Sequence, residues 1–391
     1  MMSIKDIDTT YIAGTYARYD VVLTHGKNAL VYDETGKEYI DCTAGIGVNA
    51  LGFANKEWVD AVCKQASELA HVSNLYYTTP GATLAKTLCE KSGMKRLFFA
   101  NSGAEANEAA IKVARKYSYD KYQNDRFEII TLVNSFHGRT VTTLSATGQD
   151  HFHQYFDPFT PGFVHAIAND IMDMKAKVNE KTCAIMIELI QGEGGVLPLE
   201  KKYVKEVAKL CKERDILLIV DEVQTGIGRT GTLYAYEQFD ISPDIVTSAK
   251  GLGNGLPIGA VLLNEKVEYV LGAGDHGTTF GGNPIVCAGA SVVLKNMNQK
   301  MLDDIVEKGE YLKKRLLTMK HVVQVNGMGL MRGVVLENVA AKDVVVACIE
   351  RGVLLLTAKD KLRFLPPLTI TKTELKKALD ILEDVLATWE V

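Results

Sequence analysis

The sequence predicts an α/β protein in which helices cover both faces of a mostly parallel sheet, with a smaller α+β part beside it. From about residue 80 onward, short apolar strand-like runs alternate with helical runs. These strands read as continuous apolar segments, which is typical of strands that are buried on both faces. A length of 391 residues also favours one large domain plus a smaller one.

Before residue 80, the sequence predicts a β meander followed by one helix. Strand-like runs with turn residues between them occur at 21–23, 29–32 and 38–40. A glycine-rich loop at 43–52 follows the meander, and apolar residues spaced four apart predict a helix at 56–69.

The central region carries the alternating pattern. Helices with apolar residues at helical spacing are predicted at 82–92, 104–117 and 200–214. Short apolar runs predict the strands of one sheet, at 96–100, 128–133, 182–190, 216–220 and 244–248. Because crossovers between parallel strands are right-handed, the loops after these strands gather at one edge of the sheet, where ligands usually bind.

After residue 285 the pattern changes to helices beside a small separate sheet. The predicted elements are helices at 285–298 and 302–319, then strands at 334–337, 353–356 and 361–365. Thr371 and Glu374 form a predicted capping box for a last helix, whose leucine stripe indicates a core position. We expect residues 1–60 and 285–391 to form one small domain, and residues 61–284 to form the large one.

Composition excludes several classes of function. A net charge of −4 gives no reason to expect nucleic acid or an anionic membrane as a partner. No apolar run reaches the about 20 residues that span a bilayer, and the polar start does not resemble a signal peptide. Seven scattered cysteines without a CxxC pair favour a reducing cytoplasm, and the eight histidines show no metal-ligand spacing.

Lys250 directly follows a predicted strand and stands before a glycine-rich stretch. Burial at the end of an apolar strand disfavours the charged form of a lysine and lowers its pKa. A neutral amine attacks carbonyl groups and forms Schiff bases, and neighbouring glycines let a flat cofactor approach the backbone. From these residues alone, a surface lysine at a strand-to-loop corner is the favoured explanation of Lys250, and only the other segments can change that balance.

Two further segments offer groups for an anion and for a planar ring. Ser102, Gly103 and Ala104 open a predicted helix, whose unpaired N–H groups and dipole favour phosphate. Past the strand at 128–133, Phe136 offers a ring for stacking and Arg139 offers a bidentate carboxylate receptor. The alternatives are an ordinary capping serine, a core phenylalanine and a solvated arginine.

Acidic residues follow two other strands. Asp221 ends an apolar strand, where a carboxylate needs a cation or a donor, and a protonated pyridine nitrogen is such a cation. Glu188 and Glu193 stand at and beyond the end of the strand at 182–190. A helix cap or an internal salt bridge is the alternative for Asp221, and solvent exposure is the alternative for Glu193. A lysine nucleophile, a carboxylate, an aromatic ring and a helix start together fit pyridoxal 5'-phosphate.

The motifs as a set resemble those of the fold-type I, class III (ω-amino-acid) aminotransferases. The resemblance runs over nearly the whole chain and rests on many motifs in the family's order. They are SNLYYTTP at 73–80, NSGAEANEAAIK at 101–112, SFHGR at 135–139, QGEGGV at 191–196, DEVQTGIGRTG at 221–231, AKGLG at 249–253 and GTTFGGNP at 277–284. It implies a large domain with a mostly parallel, seven-stranded sheet and a smaller α+β domain.

The resemblance also implies a role for individual residues. Lys250 would form the Schiff base with pyridoxal 5'-phosphate and move the proton between substrate and cofactor, and Asp221 would pair with the ring nitrogen. The other residues implied to bind the cofactor are Ser102, Gly103, Ala104, Phe136, Glu222, Val223, Gln224 and, from the neighbouring subunit of a homodimer, Thr279.

The substrate side of the site is implied in the same way. Arg139 would hold the substrate α-carboxylate, and Glu193 would pair with Arg363 in one half-reaction and release it for glutamate in the other. Thr278, Tyr16 and Glu188 would lie close to the substrate.

The implied reaction is a ping-pong transamination from N2-acetylornithine to 2-oxoglutarate, a step of arginine biosynthesis. The identity of the amine donor stays open, since the chemistry would be the same with ornithine, succinylornithine, N-acetyllysine or 4-aminobutyrate. An aminomutase on the same scaffold is a further alternative, which dependence on 2-oxoglutarate would separate. A non-catalytic cofactor-binding protein is a third, against which intact Lys250, Asp221 and Arg139 argue.

Overall fold

A seven-stranded sheet forms the centre of the computed structural model, which describes residues 2–389. In spatial order its strands are Arg96–Ala100, Gly259–Leu263, Ile245–Ser248, Leu217–Asp221, Thr182–Ile187, Glu128–Leu132 and Phe163–Ala166. Gly259–Leu263 runs antiparallel to both of its neighbours, and the other strands are parallel to one another. The predicted α/β class with a mostly parallel sheet is confirmed.

Both faces of this sheet are buried, as its continuous apolar strands predicted. In the strand Leu217–Asp221, Leu218 and Val220 belong to one hydrophobic cluster, whereas Leu217 and Ile219 belong to another. Since successive side chains of a strand point to opposite faces, the two clusters lie on the two sides of the sheet. Charged groups are therefore confined to the strand ends.

Helices connect and cover the strands. Their bounds are Ile4–Tyr11, Lys56–Glu68, Thr79–Ser92, Gly103–Tyr122, Val141–Ala146, Ile171–Lys177, Lys201–Arg214, Pro284–Asn296, Gln299–Leu316, Ala341–Glu350 and Lys372–Ala387. Single 3₁₀ turns occur at Asp150–Phe152, Ala235–Phe239 and Lys250–Leu252. Residues Ala44–Gly47 make a left-handed turn, with φ of 61° at Gly45 and 65° at Ile46. Within the described residues, no helix has the length and apolar character needed to cross a membrane.

Two smaller four-stranded sheets contain the remaining longer strands. One consists of Leu23–Lys27, Leu30–Asp33, Glu38–Asp41 and Val353–Leu354, in that order. The other consists of Val322–Met328, Met331–Leu336, Lys361–Phe364 and Leu356–Ala358. Parallel pairing of Val353 with Ile40 joins the two ends of the chain in one sheet. The boundaries of the two domains stay a prediction.

Some predicted strands have different limits in the structure. The run at 353–356 divides at Leu355, because its first half pairs with Glu38–Asp41 and its second half pairs with Lys361–Phe364. The run at 182–190 ends at Ile187, and Ile190–Gln191 pairs instead with Leu197–Pro198 in a short hairpin. Glu193 lies in the turn of that hairpin, beside the edge of the sheet where the strands end.

The last helix follows its prediction closely. The Thr371 hydroxyl accepts a hydrogen bond from the Glu374 amide at 3.1 Å, and the Glu374 carboxylate accepts one from the Thr371 amide at 2.7 Å. This reciprocal pair is the predicted capping box. The leucine stripe is fully buried, at Leu375, Leu379, Leu382 and Leu386.

Candidate active site

A cavity of about 410 Å³ opens at the carboxyl ends of the parallel strands. Segments that follow five strands of the central sheet contribute to its wall, as right-handed crossovers predict. Many of the residues predicted for the site line this cavity, namely Ser102, Gly103, Ala104, Phe136, Arg139, Glu188, Glu193, Asp221, Val223, Gln224 and Lys250.

Lys250 begins the turn that follows the strand Ile245–Ser248, and its φ of 43° is left-handed. Burial is the largest influence on its amine and lowers the pKa of Lys250. The negative charge of Glu193 acts in the opposite direction, while the positive charge of Arg363 lowers the pKa further. A larger share of Lys250 is therefore neutral, as a nucleophile requires.

Asp221 ends the strand Leu217–Asp221, and its carboxylate is almost fully buried. Its Oδ2 atom accepts hydrogen bonds of 2.8 Å from Asn107 Nδ2 and 2.8 Å from His137 Nδ1, and Oδ1 accepts one of 3.0 Å from the Val223 amide. Burial alone lowers the pKa of His137, but the hydrogen bond and charge of Asp221 outweigh it and raise that pKa. These contacts hold one carboxylate in a fixed orientation at the cavity wall.

Sequence reasoning assigned no role to Asn107 or His137. Asn107 is a buried amide on a helix face that otherwise carries alanines and Ile111. A polar residue on an apolar helix face is the signal that could have found it, since a buried amide needs a partner. His137 lay inside a motif already noted, between Phe136 and Arg139.

The helix Gly103–Tyr122 starts at the cavity and directs its free N–H groups there. Ser102 caps this helix, because its hydroxyl accepts a hydrogen bond from the Glu105 amide at 3.2 Å. The capping alternative for Ser102 therefore holds, and the residue also lines the cavity. A Cβ at Gly103 would lie 2.7 Å from Val223 Cγ1, so only glycine allows this close approach. The helix start is a suitable anion site.

Glu188 links the segment after one strand to the hairpin after another. Its Oε2 atom accepts a hydrogen bond of 2.8 Å from the Phe136 amide, and its Oε1 atom accepts a longer one of 3.4 Å from the Gly192 amide. Burial raises the pKa of Glu188 to about 8, against the smaller opposing effect of His137. Glu188 is therefore mostly protonated at neutral pH.

Glu193 and Arg363 form an ion pair beside the cavity. Arg363 Nη1 donates to Glu193 Oε1 at 2.6 Å, and Gln224 Nε2 donates to the same oxygen at 3.2 Å. Burial raises the pKa of Glu193, but the charge and hydrogen bond of Arg363 outweigh it, so that pKa is lowered. The Oε1 atom of Gln224 is buried and accepts no hydrogen bond from residues 2–389.

Arg139 differs from Arg363 in its contacts. Its guanidinium carbon lies 3.9 Å from the centre of the Phe152 ring and 5.5 Å from that of Phe136. It makes no hydrogen bond or ion pair within the described part of the chain. Of the two guanidinium groups, Arg363 is neutralised by a carboxylate, whereas the donors of Arg139 are free.

Glu222 was predicted to bind the cofactor, but its side chain does not line the cavity. It accepts hydrogen bonds from the Tyr236 amide at 2.8 Å and from the Thr225 hydroxyl. Adjacent extended residues point in opposite directions, so Asp221 faces the cavity and Glu222 faces away. Burial raises the pKa of Glu222 to about 7.

The structure also leaves Tyr16, Thr278 and Thr279 outside the wall of this cavity. Tyr16 is 73% exposed and contacts Arg18. Thr278 is adjacent to the helix start, since its hydroxyl accepts a hydrogen bond from Asn101 Nδ2 at 2.9 Å. Thr279 lies in a separate shallow depression with Ser73 and its neighbours.

Replacing Glu188 by glutamine tests the raised pKa. The wild-type carboxyl keeps its proton up to about pH 8, whereas the unfolded chain loses it near pH 4.5. As the pH rises between these values, the free energy of unfolding of the wild type therefore falls relative to that of Glu188→Gln, by up to ~1.4 kcal/mol per pH unit. We expect the Tm difference of the cofactor-free proteins, variant minus wild type, to grow from pH 5 to 8 and then level off. A difference independent of pH would contradict the assignment.

Comparisons with known proteins show the family of the chain. The family model for aminotransferase class-III matches residues 11–386. The chain is 55% identical to acetylornithine aminotransferase of Haemophilus ducreyi over 98% of both chains. It is 46% identical to acetylornithine aminotransferase of Methanocaldococcus jannaschii over 97% of both chains.

Solved structures show the same fold. Ornithine aminotransferase from Toxoplasma gondii superposes with a TM-score of 0.94 at 33% identity, covering 99% of this chain and 96% of that one. N-acetylornithine aminotransferase from Stenotrophomonas maltophilia gives a TM-score of 0.85 at 36% identity, covering 97% and 98%. The family match spans nearly the whole chain, and the fold and the cavity agree with it. The chain therefore belongs to the class-III aminotransferases.

Proposed function

We propose that this protein is an acetylornithine aminotransferase that uses pyridoxal 5'-phosphate. It transfers the terminal amine of N2-acetylornithine to 2-oxoglutarate and produces N-acetylglutamate 5-semialdehyde and glutamate, a step of arginine biosynthesis. One observation carries the proposal, namely a single cavity that combines Lys250, the oriented carboxylate of Asp221 and the free guanidinium of Arg139. The identity of 55% to a relative of that name supports the choice of substrate.

The residues of the cavity fit pyridoxal 5'-phosphate. The start of the helix Gly103–Tyr122 suits its phosphate, and the buried Asp221 suits a protonated ring nitrogen. The unpaired Oε1 atom of Gln224 suits a hydrogen bond in which the ring hydroxyl is the donor and Oε1 is the acceptor. A second structure of the Toxoplasma gondii ornithine aminotransferase is described with PLP at its active site. When bound, the cofactor supplies a carbonyl that receives the amine and a ring that withdraws electrons from the substrate.

The protein's own residues orient both partners and move the proton. The lowered pKa of Lys250 lets its amine attack a carbonyl and then carry a proton from the substrate carbon that bears the amine. Asn107 and His137 hold Asp221 in a fixed orientation, in which it would meet the ring nitrogen. Phe136 would cover one face of the ring, and Glu188 holds the Phe136 backbone in place.

Two arginines match the carboxylates of the two substrates. N2-acetylornithine presents one carboxylate, which Arg139 binds through its free donors. Glutamate presents two, and the second binds Arg363 once Glu193 turns away from it. The ion pair of 2.6 Å between Glu193 and Arg363 supports this gating role, because it covers a charge that the first substrate does not need.

The active unit is a homodimer in this proposal. Leu75, Tyr77 and Phe280 are large apolar residues that are more than half exposed, and Thr279 adjoins Phe280. Contiguous exposed apolar residues commonly mark a protein interface. Thr279 binds the cofactor phosphate of the partner subunit, while Thr278 and Tyr16 approach the substrate. The free cysteines support a cytoplasmic location.

Ornithine is the second candidate for the amine donor. The structure superposes on the Toxoplasma gondii ornithine aminotransferase with a TM-score of 0.94. Both donors present the same terminal amine and the same α-carboxylate, so the catalytic groups do not separate them.

A half-reaction separates the donors. The purified protein loaded with pyridoxal 5'-phosphate is mixed with N2-acetylornithine, ornithine or 4-aminobutyrate, and the loss of its visible absorbance is followed. We expect fast conversion with N2-acetylornithine and conversion at least about tenfold slower with the others, since a difference of 1.4 kcal/mol corresponds to tenfold. Equal or faster conversion with ornithine or 4-aminobutyrate would overturn the substrate but keep the aminotransferase.

The variant Lys250→Ala tests the nucleophile. Without the amine, no covalent bond to the cofactor carbonyl can form, so the visible band of lysine-bound pyridoxal phosphate should disappear. The control is Lys95→Ala, which should keep the band. Lys95 directly precedes the strand Arg96–Ala100 and lies outside the cavity. Persistence of the band in Lys250→Ala would show that another residue holds the cofactor.

The variant Arg139→Ala tests the carboxylate receptor. Loss of a charge-assisted pair costs about 1.5–3 kcal/mol, so kcat/KM should fall roughly 10- to 150-fold in both half-reactions. The visible band should remain, because Arg139 is not proposed to hold the cofactor. An unchanged kcat/KM in both half-reactions would exclude this role of Arg139.

A further inference from the structure

The Phe152 ring is the nearest aromatic support of the Arg139 guanidinium. The guanidinium carbon of Arg139 lies 3.9 Å from the centre of that ring, a distance of direct stacking contact. The Phe136 ring packs edge-on against the Phe152 ring, with 5.8 Å between the two ring centres and an angle of 69° between the planes. Phe152 itself does not line the cavity.

Hydrogen bonds fasten the segment that carries Phe152 to the segment that carries Arg139. Gln149 is buried, and its Nε2 atom donates to the Ser135 carbonyl at 3.0 Å. The Ser135 hydroxyl accepts from the Gly148 amide at 3.0 Å. The Phe152 amide donates to the Gln149 carbonyl at 3.0 Å. The backbone that carries the ring is therefore tied to the segment that leads to Arg139.

Stacking and pairing use different parts of a guanidinium. An aromatic ring contacts its flat face, whereas carboxylates bind the N–H groups in its plane. Arg363 has an N–H group engaged by Glu193. Arg139 makes no hydrogen bond to residues 2–389, so its contact with Phe152 restrains it and leaves the carboxylate-binding edge open.

We propose that Phe152 is a positioning residue, whose ring holds the Arg139 guanidinium in the orientation that receives the substrate carboxylate. The inference rests on the proposed function, because it concerns the same carboxylate. Phe152 acts through Arg139 and contacts neither substrate nor cofactor. Its effect should therefore appear in substrate binding and only for substrates that carry a carboxylate.

The variant Phe152→Leu tests this role, since leucine is apolar but has no aromatic face. We expect KM for N2-acetylornithine and for 2-oxoglutarate to rise roughly 3- to 30-fold, with kcat within about twofold. Phe152→Tyr keeps the ring face and should restore the wild-type KM. Phe152→Met is a second aliphatic variant if the leucine variant does not fold, and the visible cofactor band reports folding of each.

Three controls separate positioning from general packing. N-acetyl-1,4-diaminobutane has the same amine as N2-acetylornithine but lacks the carboxylate, so Phe152→Leu should not change its kcat/KM. Tyr155→Leu removes a ring that is 91% exposed on the same loop and should leave every constant unchanged. In an Arg139→Leu background, adding Phe152→Leu should raise KM no further.

The result that overturns the proposal is equally specific. It would be an unchanged KM in Phe152→Leu, an equal loss for the amine without a carboxylate, or a tyrosine variant as impaired as the leucine variant. Failure of the proposed function is recognised separately, because wild-type protein would then not convert N2-acetylornithine. The same comparison would in that case be made with whichever of ornithine and 4-aminobutyrate the wild type converts.

Discussion

The buried carboxylate of Asp221 is the constraint on which the active-site region depends. A charge at the end of an apolar strand is unfavourable by several kcal/mol unless donors meet it. Asn107 and His137 supply those donors from a helix and from a loop that are far apart in sequence. The helix start, the loop with Phe136 and Arg139, and the strand are therefore held together by one side chain.

The two arginines of the site are held in two physically different ways. Arg363 is restrained by a carboxylate, which engages its Nη1 donor and cancels its charge. Arg139 is restrained by aromatic rings, which leave its N–H donors and its charge available. In the proposed reaction, Arg139 binds a carboxylate in both half-reactions, whereas Arg363 binds one only after Glu193 releases it. This suits an enzyme whose first substrate has one carboxylate and whose second has two.

Much of this arrangement could be predicted because parallel strands bring their carboxyl ends to one edge. Lys250, Asp221 and Phe136 each follow an apolar strand, so their convergence needed only the alternating pattern. The strand Gly259–Leu263 was missed because it is antiparallel to its neighbours and so lies outside the alternation of helices with parallel strands. Asn107 and Phe152 were missed because their partners come from distant or irregular segments, which local periodicity does not report. Thr279 stays a prediction, since its proposed partner is a second subunit.

The pairing of Val353 with Ile40 has a consequence for synthesis of the chain. Backbone hydrogen bonds from Leu365 to Cys42 and from Leu368 to Ala50 tie the same two regions together. Until the ribosome has made residues 353–368, the strand Glu38–Asp41 has an open edge and the loop after it lacks its support. Contacts over such long separations close late and slowly, and unpaired edges favour aggregation. The nascent protein therefore keeps this edge open until residues 353–368 have been made.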